Sequence, residues 1–74
     1  SKLVMLHAPR AALEAITRLL PNSQQPTITP IEGTEGEVAL QAVCHDAITW
    51  QHLEAMKRAG ARQMLVLPME RMLA

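Results

Sequence analysis

Trp50 is the one aromatic residue of this chain, which has no Phe and no Tyr. Proteins that stack unpaired bases on their surface need several such rings, so recognition of single-stranded nucleic acid is disfavoured from the start. An excess of positive charge is lacking as well. Seven Lys and Arg balance seven Asp and Glu, whereas nucleic-acid binders carry a basic patch or stripe. Cysteine occurs once, as Cys44, so no disulfide can form within the chain and a reducing cytoplasm is the default setting. Long apolar runs are missing too. The longest are "LVML" at 3–6 and "MLVL" at 64–67, far short of the roughly 20 residues that span a bilayer. Ser1-Lys2 leads directly into the first of these runs, so no signal peptide is expected.

What is present suits a single small domain over residues 1–74, with no internal linker, repeat or low-complexity tract. The composition is 49% hydrophobic and 19% charged, a globular balance and not a disordered one. A domain of this size buries only about 60% of the surface its unfolded chain exposes, so a stabilising partner is plausible.

"KLVMLHA" at 2–8 is a short apolar run read as a buried strand. Pro9 suits the first turn of a helix, where its missing N–H is no loss. "RAALEAITRLL" follows, with Leu13, Ile16 and Leu20 at helical spacing and Ala12 and Leu19 flanking them. A second strand is expected at about 26–31, a Gly-bearing turn at "EGTEGE", and a third strand at 38–44. Asp46 is the expected N-cap of a second helix, "AITWQHLEAMKRA". Trp50, Leu53 and Met56 are expected on its buried side, and Gly60 at its end. "RQMLVLP" is the fourth strand, and "MERMLA" could add a helical turn.

The order β-α-β-β-α-β predicts an α+β fold, a ferredoxin-like two-layer sandwich with an antiparallel four-stranded sheet. In that topology the first and third strands are central and the second and fourth lie at the edges. Pro26 and Pro30 share one parity, so both can turn their missing donors outward from an edge. Both helices cover one face of the sheet. The other face should alternate to polar residues if it meets water, yet "LVML" and "MLVL" are apolar on both faces. That face is therefore expected to pack on another chain or domain; the tail and loops are the alternative cover.

Catalytic and metal chemistry find little support. His7, Cys44, His45 and His52 show neither CxxC nor HxxxH spacing, so no metal site is expected. Cys44 has no partner whose spacing implies a dyad, and a buried apolar role suits it better. Glu32, Glu35 and Glu37 cluster in the turn, where solvation explains them. No catalytic residue is assigned, and an enzyme complete in these residues is not expected. A binding site remains: His7 ends strand one, Ser23 to Gln25 precede strand two, and Thr27 and Thr29 share one face of it. Threonines are also simply good strand residues.

"HAPR" after an apolar strand, "LLP", "PTITPI" and "MKRAGARQMLVLPMERM" together resemble the C-terminal regulatory domain of long-form ATP phosphoribosyltransferase. The resemblance runs from Lys2 to Met72. It implies a ferredoxin-like, PII-like fold that follows two catalytic domains of the same polypeptide. Those domains, a glycosyltransferase acting at the first step of histidine biosynthesis, would use Mg2+; no cofactor is implied for the present domain. The resemblance further implies L-histidine as feedback inhibitor and a homo-oligomer, hexameric in the full enzyme. Carried onto this sequence, the effector-binding residues would be His7, Ser23, Gln24, Gln25, Thr27 and Gln63. Two rival functions are a PII-like or ACT-like sensor of another small metabolite and a purely structural assembly module. Nucleic acid and membrane are not expected as partners.

Overall fold

The computed structural model describes residues 1–71 and residue 73. Strand β1 spans Lys2–Pro9, helix α1 Leu13–Leu19, β2 Thr27–Pro30, β3 Glu37–Cys44, α2 Trp50–Ala59 and β4 Arg62–Pro68, with a 3-10 turn at Arg10–Ala12. The strands form one antiparallel sheet in the order β2-β3-β1-β4. This is the small α+β, ferredoxin-like architecture that the element order predicts, with β1 and β3 central.

Alternation along the strands separates two faces. Val4, Leu6 and Ala8 of β1 and Val38, Leu40, Ala42 and Cys44 of β3 are buried on the helical side. They pack with Ile16 and Leu20 from the first helical segment and Met56 of α2. Ala12 and Leu19 flank this core as the periodicity indicates, and Leu13, expected within the stripe, also only flanks it. Ile28 joins it from β2 while Thr27 and Thr29 point the other way.

The edge position of β2 accounts for its proline. Ile31 N–H donates to the Glu37 carbonyl, and hydrogen-bonded pairs alternate along an antiparallel ladder. Thr29 opposite Ala39 and Thr27 opposite Gln41 therefore carry the bonds. Pro30, opposite Val38, falls where an N–H would face outward, so the sheet loses nothing.

Local details depart from the expected boundaries. Pro9 closes β1 and stands at the N-cap of the 3-10 turn, which leads directly into α1 at Leu13. Asp46 does not cap α2. Thr49 does, its Oγ1 accepting from the His52 N–H at 3.2 Å while His52 Nδ1 accepts from the Thr49 N–H at 2.9 Å. That reciprocal pair satisfies two helix-end donors at once and outcompetes a single carboxylate further out. Trp50 is not on the buried side: it is 73% exposed. At the first position of α2 it stands over the sheet's edge, lining an open depression with Leu53 and with Met64 and Val66 of edge strand β4. Gly60 ends α2 at φ 121, a conformation that L side chains rarely adopt, and a Cβ there would touch Ala12 and Pro9 at 3.4 Å. Residues 69–71 form no helical turn; Met72 and Ala74, also in that expected turn, lie outside the described residues.

Candidate functional site

The face of the sheet away from the helices divides along its length. At one end Leu3 and Val43 are half-buried, while Met5, Leu65 and Leu67 are 36%, 56% and 42% exposed. Register brings them together, with Leu3 opposite both Val43 and Leu67 and Met5 opposite Leu65. At the other end stand His7, Thr29, Glu37 and Arg62: His7 is opposite Ala39 and Arg62, and Ala39 is opposite Thr29.

Between these ends lies a depression of about 310 Å³, lined among others by Met5, His7, Thr27, Thr29, Gln41 and Gln63. Its chemistry is mixed. Hydroxyls come from β2, amides from β3 and β4, an imidazole from β1, and apolar contact from Met5 and Leu65. Pockets that hold small molecules have this make-up, apolar walls with a few convergent polar groups.

Three of the six expected residues, His7, Thr27 and Gln63, meet around this depression. Ser23 and Gln24 do not line it. Ser23 bridges to Cys44, and Gln24 N–H donates to the Val43 carbonyl at 2.9 Å. That end of β3 is three residues beyond Gln41, the nearest lining residue of the strand, roughly 10 Å along it. Gln25 is exposed on the path between them and Thr27 and is likewise not in the lining.

Gln41 and Ala39 contribute to the site without having been singled out. Gln41 carried a usable signal, as the one polar residue inside "VALQAVC". Gln63 reaches the site through an irregularity. The register slips between Met5 and His7, and Gln63 sits at φ 50, a left-handed conformation uncommon for any residue but glycine.

Cys44 belongs to the other layer. It is buried among core side chains, and desolvation pushes its thiol pKa up from the ordinary 9.0. Such a thiol is a poor nucleophile. Among the described residues no group of three or more His, Cys, Asp or Glu is placed to hold a metal ion, and no helix is long and apolar enough to cross a membrane.

The model of the family described as HisG, C-terminal domain, matches residues 1–71. The chain belongs to that family. An ATP phosphoribosyltransferase of Maricaulis maris (strain MCS10) is 49% identical over all 74 residues. The chain spans 25% of that relative's length, so the similarity concerns one domain of a larger enzyme.

Proposed function

We propose that this chain is the regulatory module of an ATP phosphoribosyltransferase, the enzyme of the first step of histidine biosynthesis. In this reading it binds L-histidine as feedback inhibitor and joins subunits into a cytoplasmic homo-oligomer, a hexamer in the full enzyme. Catalysis, with its Mg2+, belongs to the other domains of the polypeptide. The observation that carries the reading is the meeting of His7, Thr27 and Gln63 around one depression on a sheet face that the chain's own helices leave bare. Membership of the family and the name of the relative supply the pathway.

The chemistry suits a small zwitterion with a polar side chain. Thr27 Oγ1 can donate or accept, the Gln63 amide offers both roles, and the His7 ring adds a directed donor or acceptor. Met5 and Leu65 give the ligand's ring an apolar surface. Bound histidine inhibits only if it prefers one arrangement of the domains; a tenfold preference supplies about 1.4 kcal/mol per site. The apolar end of the same face, Leu3, Met5, Leu65 and Leu67, offers the assembly surface, so effector and subunit contact adjoin.

Calorimetry with L-histidine on the full-length protein tests this directly. Native protein is expected to bind, and Thr27→Val to bind roughly tenfold more weakly with unchanged folding, because the valine keeps the shape and β-propensity but not the hydroxyl. Light scattering with and without histidine reads the assembly. Oligomers that form but ignore histidine would leave a purely structural module in its place.

A further inference from the structure

A second depression, at the free edge of the sheet, takes no part in the proposed function. Edge strand β4 has β1 on one side and, among the described residues, no strand on the other. Met64 and Val66 alternate with Leu65 and Leu67 of the bare face, so their side chains turn toward the helices. Trp50, Leu53, Glu54 and Lys57 recur at the spacing that puts helical residues on one face. That face of α2 and the two β4 side chains border an open groove of about 390 Å³. Leu53, Met64 and Val66 are half-buried in it, while Glu54 and Lys57 are exposed at its margin. Trp50 stands there 73% exposed. Tryptophan is enriched among the anchors of protein interfaces, and an apolar centre with a polar rim is the ordinary anatomy of such a contact.

We infer that the preceding domains of the same polypeptide dock in this groove, with Trp50 as the anchor. The inference rests on the reading of the chain as the C-terminal module of a larger enzyme, and on no particular effector. The chain spans 25% of its relative's length and matches a C-terminal domain, so the bulk of such an enzyme arrives through residue 1. That point lies beside the groove. The Ser1 carbonyl accepts from the Met69 N–H at 3.2 Å, and Ser1 Oγ is 3.1 Å from Nδ1 of His45, in the loop that leads to Trp50. Val4 is opposite Val66 of the groove, so the entry is three residues away, roughly 10 Å along β1. Because the chain turns back at Gly60 from α2 into β4, Trp50 at the start of α2 is at this same end. Size points the same way. Six lining residues are few beside the roughly 20–30 per side in a stable contact between separate proteins. A tethered domain needs less, since a short tether supplies an effective concentration in the millimolar range. Docked so, Trp50 sets the angle at which the module meets the rest of the enzyme, which a linker alone leaves free.

Photocrosslinking on the full-length protein tests this. With the photoreactive p-benzoylphenylalanine in place of Trp50, crosslinks are expected to fall on the preceding domains of the same polypeptide. Mass spectrometry on oligomers mixed from light- and heavy-nitrogen copies separates these from crosslinks between copies. Trp50→Ala is expected to speed tryptic cleavage at the junction before residue 1 roughly tenfold or more, because an anchor indole is lost and cleavage follows the population of the open form. Gln51→Ala, exposed on α2 but outside the groove, should leave that rate unchanged. Both variants should keep the native circular dichroism, since both side chains are at the surface. Crosslinks confined to a second copy, or absent beyond this domain, overturn the inference, as does a junction cleaved equally fast in native and Trp50→Ala protein. None of these readouts involves histidine. A protein that docks in this way but does not bind L-histidine keeps this inference and overturns the effector reading alone.

Discussion

The two faces of the sheet are built from alternate residues of the same strands, yet they do different work. In β1, Val4, Leu6 and Ala8 are sealed under the helices, while Leu3, Met5 and His7 on the opposite side carry the apolar patch and part of the depression. In β3, Val38, Leu40 and Ala42 face the core, and Ala39, Gln41 and Val43 face out. The covered face is uniform because burial tolerates only apolar groups there. The bare face is graded, greasy at the Leu3 and Leu67 end and polar at the His7 and Arg62 end. Stability is thus concentrated in one set of positions and the proposed recognition in the set interleaved with it, so single substitutions can address either almost independently.

The sharpest way to break this contrast is to cut adjacent positions of β1. Leu6→Ala is expected to cost about 2–5 kcal/mol, as for other fully buried leucines, enough to threaten a domain this small. Met5→Ala, one residue away, should cost no more than about 0.5 kcal/mol. Urea denaturation of both checks it, and equal losses would mean that the bare face is covered within the chain. A smaller effect concerns Cys44. Its raised thiol pKa contributes stability that is whole below the unfolded value of 9.0 and declines as the pH rises above it, because only the unfolded chain then gives up the proton readily. Cys44→Ala should be less stable near neutrality but lack this alkaline decline, measured by thermal melts between pH 8 and pH 10.5. The smallest change in folding is expected from Leu65→Ser with Leu67→Ser on the bare face, within about 0.5 kcal/mol. Its mark should appear in the mass of the full-length protein in solution, which falls if this patch joins subunits.

Much of this was legible in the residues. Short apolar runs gave β1, β3 and β4, the spacing of Leu13, Ile16 and Leu20 gave the first helix its core stripe, and the prolines around Thr27 to Pro30 placed an edge. The start of α2 was not, because Asp46 and Thr49 are both acceptable caps and only the matching His52 side chain decides between them. Trp50 misled for a related reason: its spacing fits the stripe of Leu53 and Met56, but what lies over a helix end depends on how far the sheet extends. In the candidate site, His7, Thr27 and Gln63 were nameable and do converge on one depression, whereas Ser23 and Gln24 lie along the far end of β3.

The sequence by itself determined the order of elements, most of the buried set and the presence of apolar residues on both sides of β1 and β4, because these follow from local sequence pattern and from prolines that cannot donate. Only the tertiary structure decided that Arg62, and not Gln63, stands opposite His7, and that Glu37 reaches it across β1. A one-residue slip in one strand leaves no trace in composition or spacing. It arises from how that strand settles against its neighbour, and it changes which side chains share a surface.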